Sequence, residues 1–147
     1  MTPPSRPSGP ELLEERSLGG ILVHILGLVT GFVGPALLYV VSEHEHTRAN
    51  ARHALNWHIS VFVLFVVSLV LFLLGADTLT IGAETTELVL LPEPVATVVG
   101  VVGFALLMVL ALASFLTIVY AFIATVKAIF GSVWTYPGSV SVVERYF

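Results

Sequence analysis

The 147-residue chain carries 16 Asp, Glu, Lys and Arg side chains, 11% of its residues, where soluble domains carry roughly 25%. With 56% hydrophobic residues and a mean hydropathy of +0.97, it lacks the polar groups needed to cover a core in water, which argues against a soluble enzyme and for the lipid bilayer as solvent. A net charge of −4 leaves no basic surplus for nucleic acid or a polybasic lipid site, and the absence of Cys removes disulfides, thiol chemistry and Cys-based zinc motifs.

Residues 1–17 hold four of the 8 Pro and no apolar period, which predicts a disordered N-terminal tail. Between Ser17 and Ser42 no formal charge occurs, so a first span is predicted at about 18–41. The Glu residues before this run, its length and the lack of a small-x-small cleavage site distinguish it from a signal peptide. A second span is predicted at about 56–75, closed by Asp77. The loop 76–94 carries four acids and no Lys or Arg, and ends in Pro-Glu-Pro. A third span is predicted at about 95–128, and as one helix it overshoots the ~30 Å hydrocarbon core. The alternative is a break near Gly100 or Gly103. Residues 139–147 form a C-terminal tail. The predicted fold is therefore all-α, a multi-pass integral membrane helical bundle with three long spans and a membrane domain over 18–138.

The cations Arg6, Arg16, Arg48, Arg52, Lys127 and Arg145 avoid the second loop, which places the first loop and the C-terminus on the cytoplasmic side of the cell membrane. Three spans put the N-terminal tail outside despite its two Arg. A re-entrant first segment, bent near Gly31 to Pro35, puts every cation inside.

Gly20, His24, Gly27, Gly31 and Gly34 recur at helical spacing and predict a packing seam, with Gly27 and Gly31 forming a GxxxG pair. Ala113, Thr117, Ala121 and Thr125 are the predicted partner face on the third span, and Pro35 predicts a kink. His24 is ionisable and lies within a predicted span. It is a candidate for proton or ion handling, weighed against a neutral imidazole satisfied by a neighbouring polar group.

In the polar loop 42–60, helical spacing aligns Arg48, Arg52, Asn56 and Ser60 as a ridge descending into the second span. Ala51, Ala54, Leu55 and Trp57 favour the interface. His44, His46, His53 and His58, with Glu43 and Glu45, raise a metal reading whose candidates are His44 and His46. His53 and His58 diverge on a helix, no metalloprotease spacing is present, and no cofactor is expected. Glu84 and Glu87 read as a solvated acidic loop. No nucleophile motif or phosphate loop occurs, so no enzyme is expected. After Lys127, Trp134 and Tyr136 are placed to reach the headgroup level, Pro137 to end the helix, and Val140, Val142, Val143, Tyr146 and Phe147 to rest on the membrane or a partner.

The internal His of ILVHILGL, the Pro of GPALLYV, the NARHALNWHISV opening of the second span and the late Tyr-Pro pair resemble the Tic-twenty-like family of small prokaryotic membrane proteins over residues 18–138. Within NARHALNW and its next residue, His53, Trp57 and His58 replace the Glu, Phe and Gln usual in that family. The resemblance implies a helical membrane protein without a settled activity. The functional expectation is a non-enzymatic assembly or interaction component of a membrane complex, with the bilayer, other membrane proteins or a second copy as partners. The alternative is a transport or protein-translocation component with a polar path at His24, Arg52, Asn56 and Ser60.

Overall fold

In the computed structural model, which describes residues 16–146, the first apolar run is broken into α1 (Leu18–Thr30) and α2 (Val33–Val41). The disordered tail expected at 1–17 lies outside the described residues, apart from Arg16 and Ser17. Ser17 caps α1, its hydroxyl accepting from the Gly20 N–H at 3.1 Å. The helix stops because Gly31 takes φ 62°, a backbone conformation that a side chain resists.

The expected single span at 18–41 is therefore not formed, and chain geometry shows what replaces it. A straight helix would carry Val41 about 36 Å from Ser17. Yet the Ser17 hydroxyl lies 2.6 Å from that of Thr47, and six residue steps from Val41 to Thr47 reach at most about 21 Å. The segment must fold back on itself, so α1 and α2 form a helical hairpin bent at Gly31. At ~1.5 Å per residue, neither arm alone reaches across a ~30 Å hydrocarbon core.

Among the described residues, two helices are long and apolar enough to cross a membrane, α3 (Glu45–Leu74) and α4 (Val95–Ile129). Gly100 and Gly103 do not interrupt α4, whose 35 residues run unbroken. Between these helices, β1 (Thr78–Ile81) and β2 (Glu84–Glu87) pair antiparallel, with Thr78 opposite Glu87 and Ile81 opposite Glu84. Gly82 at φ 64° opens the two-residue turn. The C-terminal segment ends in a short α5 (Val143–Tyr146).

The chain divides into two compact units. One takes residues up to Ile59 and from Thr117 onward, and so holds the α1–α2 hairpin, the start of α3, the end of α4 and the C-terminal segment. The other, Ser60–Leu116, holds the rest of α3 and α4 and the β-hairpin. Within the second unit, Gly75 meets Gly100 backbone to backbone, and Gly103 meets the backbone of Phe72. These glycines bring the two helices together where any Cβ would collide. Phe62, Phe65, Val70, Val101, Phe104, Met108 and Phe115 of this unit remain exposed, an arrangement that water would penalise and lipid accommodates.

Candidate functional site

His24, Asn50, Asn56 and Tyr136 of the first unit are buried together with apolar and small side chains in one cluster. α3 contributes Asn50, Ala51, Ala54, Leu55 and Trp57 from one broad helix face and Asn56 from its flank, all buried. α4 contributes the small residues Ala121, Ala124 and Ala128, also buried. Arg16 donates to the Ile129 carbonyl at 2.6 Å, placing a cation at the negative end of α4. Gly131 then turns the chain at φ 75°. The helix stops here, short of the expected stop at Pro137, and the following segment returns to the cluster.

His24 is fully buried, and its tautomer follows from its partners. The Asn50 side-chain nitrogen donates to the His46 carbonyl at 2.9 Å, which fixes the amide orientation because a carbonyl can only accept. The Asn50 oxygen therefore faces His24 Nε2, 3.1 Å away, and that nitrogen carries the proton. Nδ1 is left as the acceptor for the Tyr136 hydroxyl at 2.8 Å. Both ring nitrogens are thus satisfied in a neutral imidazole.

Tyr136 is the hub of the aromatic groups. Its ring stacks on Trp57 at 5.9 Å and 16°, and it meets Tyr120 at 5.7 Å and Trp134 at 5.3 Å. Trp57 and Tyr120 touch edge to face at 4.9 Å, and the Trp57 indole N–H donates to the Thr117 hydroxyl at 2.9 Å. Burial pushes the Tyr136 hydroxyl above its ordinary range. The expectation that Trp57 and Tyr136 reach the headgroups is corrected: the turn at Gly131 carries Tyr136 inward, and both rings are buried.

Asn56 anchors the last residues. Its side-chain oxygen accepts from the backbone N–H groups of Val142 and Val143 at 3.1 and 2.9 Å, and Val143 is buried. At the opposite edge, Ser17, Thr47 and His46 form a second knot. His46 Nδ1 accepts from the Ser17 backbone N–H at 3.3 Å, while His46 Nε2 is buried with no partner among the described residues.

The expected glycine seam is placed differently. Gly20 lies against His46 and Gly27 against His58, both on α3. Gly34 packs within the hairpin on Thr30 and Leu26, and Gly31 has open space beside it because its role is the turn. Of the expected partner face, Thr117 bonds Trp57 and Ala121 is buried, whereas Ala113 falls in the other unit. The Arg48, Arg52, Asn56 and Ser60 ridge is divided, since a four-residue step advances about 40° too far per turn. Asn56 turns into the cluster and Ser60 falls in the other unit. Arg48 and Arg52 line a cavity with Tyr39, Glu43, Glu45 and Ala49. His44 and His46 stand edge to face at 6.4 Å, and among the described residues no three His, Asp or Glu side chains are grouped to hold a metal ion.

Asn50, Tyr120, Ser17 and Thr47 were not singled out by sequence. The signal for Asn50 was its position on the same helix face as Ala51 and Ala54, where a polar side chain is buried and needs partners.

Comparison with protein families matches residues 14–143 to the magnetosome magnetite crystal formation protein family, MamF/MmsF. The chain belongs to this family. The MamF/MmsF match overturns the Tic-twenty-like assignment. The NARHALNW residues that suggested it are mostly buried packing positions of α3, so they report how a helix is packed in lipid more than which family it comes from. No curated protein and no solved structure matches the chain.

Proposed function

We propose that this MamF/MmsF protein resides in the membrane of the magnetite-forming compartment and acts there as a non-enzymatic component of crystal formation. The carrying observation is the family match over residues 14–143. The apolar exteriors of α3 and α4 support residence in a bilayer. The hairpin of α1 and α2 is re-entrant, so α3 and α4 make the two crossings. The described cations Arg16, Arg48, Arg52, Lys127 and Arg145 all belong to the first unit, whereas the second carries Asp77, Glu84, Glu87 and Glu93 and no Lys or Arg. This asymmetry supports a cytoplasmic first loop and C-terminus, with the acidic β-hairpin on the far side. Other membrane proteins or further copies are the partners of this component.

The transport reading has less support. His24 and Asn56 are closed by hydrogen bonds to neighbouring protein groups, and Arg52 lines a separate cavity.

The test is complementation in a magnetite-forming bacterium lacking its own family member. Restored crystal size in electron micrographs, with the chain recovered in purified magnetosome membranes, is the expected result. Unchanged crystals, or a chain absent from that membrane, overturn the proposal.

A further inference from the structure

We propose that the α1–α2 hairpin is a wedge held in a single leaflet, and that its outer face binds the acyl chains of a convex membrane surface in preference to a flat one. Three contacts set its depth. A Cβ at Gly20 would meet the His46 ring, His24 bonds Asn50, and a Cβ at Gly27 would meet the His58 ring. Residue numbers rise together on the two helices, so α1 runs parallel to α3 and descends beside its first turns. Carried on at these offsets, Gly31 stands level with about residues 57–62 of α3. Asp77 is the first charge after α3, which puts the end of that helix at the far edge of the hydrocarbon core. Between the hairpin tip and Leu74, α3 still runs about 18 Å or more, over half of a ~30 Å core. The tip therefore stops short of the midplane. α2 returns to the level of the start of α3, since only residues 42–44 separate Val41 from Glu45, and both arms belong to one leaflet.

The chemistry of the outer face says what covers it. Leu22, Val29, Val33, Leu37 and Val40 are each at least half exposed, and no formal charge occurs from Leu18 to Val41. Apart from Tyr39, near the end of α2, the polar side chains of the hairpin are already bonded. His24 is turned inward to Asn50 and Tyr136, and the Thr30 hydroxyl donates to the Leu26 carbonyl at 2.7 Å. Such a face offers nothing to a polar partner or to a headgroup and is satisfied by acyl chains. A segment confined to one leaflet displaces lipid there and none from the other. Two helices, each about 10–12 Å across, expand the leaflet that holds them, and convex curvature relieves that expansion, which makes shallow apolar insertions sensitive to curvature. This inference rests on the re-entrant hairpin proposed above but not on a role in crystal growth.

The test uses the full chain in giant vesicles of phosphatidylcholine and phosphatidylglycerol, with a narrow tether pulled from each vesicle. Single cysteines labelled from outside with a membrane-impermeant dye select the orientation. Ser132→Cys reports copies with the hairpin in the outer leaflet, and Thr85→Cys reports copies with it in the inner one. The first should be enriched in the tether by about twofold or more and the second depleted, because the outer leaflet of a tether is convex and the inner one concave. Leu22→Ala, Val29→Ala and Leu37→Ala together trim the exposed face and should bring the first ratio towards one. Equal sorting of the two orientations overturns the wedge without depending on the trimmed variant, as does a ratio indifferent to the triple substitution. A dye on Val29→Cys should be quenched by brominated acyl chains. Absence of quenching means that a second copy or another protein covers the face, and also overturns the proposal. Leu18→Cys labelling from the Thr85 side would instead remove the re-entrant reading itself, so the two failures are told apart.

Discussion

His24 Nδ1 and the Tyr136 hydroxyl lie 2.8 Å apart across 112 residues of sequence, joining the first helix to the segment after α4. Tyr136→Phe keeps the ring and deletes the donor, leaving a buried nitrogen unsatisfied. The expected cost is about 1–3 kcal/mol in detergent unfolding. With His24→Leu in the same chain the two losses should fall short of additive, because they remove one shared bond. Strict additivity would show that the pair is not energetically coupled.

The same burial has a signature in pH. The folded Tyr136 hydroxyl ionises above its ordinary range, while the unfolded one ionises near pH ~10. Unfolding therefore releases a proton in the window above pH ~10. The contribution of Tyr136 is present in full below that value and is lost as pH rises through the folded ionisation. Absorbance titration of the tyrosinates should find one late-titrating Tyr in wild type that Tyr136→Phe removes. If the late component survives the substitution, Tyr136 is not the buried group.

Asn56→Ala should release the C-terminal segment while leaving α3 in place. The variant frees the N–H groups of Val142 and Val143, which the Asn56 oxygen now satisfies. Hydrogen exchange is the readout, and faster exchange confined to residues near 142–143 is the expected pattern. Exchange unchanged at those amides would remove Asn56 as the anchor.

Packing in the second unit should respond to single methyl groups. Gly103→Ala places a Cβ against the backbone of Phe72 and Leu71, at an overpacking cost of about 1–3 kcal/mol. Ala105→Leu, at an exposed position on the same helix, is expected to stay within roughly 0.5 kcal/mol of wild type. Equal stability of the two variants would contradict the close approach.

Because the chain has no Cys, single cysteines report topology without background. Leu18→Cys, His44→Cys and Ser132→Cys should react with a membrane-impermeant maleimide from one side, and Thr85→Cys from the other. A Leu18 cysteine that labels together with Thr85 would restore a first full crossing and end the re-entrant reading.

The long helices were legible because α3 and α4 draw on unbroken apolar runs, where charge is too costly to place. The first run was harder. Its composition is that of a span, and the choice between crossing and turning back rests on one backbone angle at Gly31, where the sequence offers only a glycine among several. The β-hairpin is hard to tell from a loop in the sequence, because Thr78–Ile81 and Glu84–Glu87, which flank a Gly-Ala turn, are strands of only four residues. His24 was visible as a residue out of place in lipid, but not its partners, since Asn50 and Tyr136 reach it through tertiary contacts. Ring burial at Trp57 and Tyr136 was missed for the same reason: an aromatic near a helix end suits the interface equally well until the turn at Gly131 decides where the chain goes.

The anchoring of the C-terminal segment also orders events during synthesis. His24 and Asn56 emerge 112 and 86 residues before the groups that complete these hydrogen bonds, so the bonds form only after the rest of the cluster has been made. Residues 136–143 supply the last partners. A chain that stops short of them retains its long apolar helices but lacks the Tyr136 hydroxyl and the Val142 and Val143 N–H groups that close the cluster.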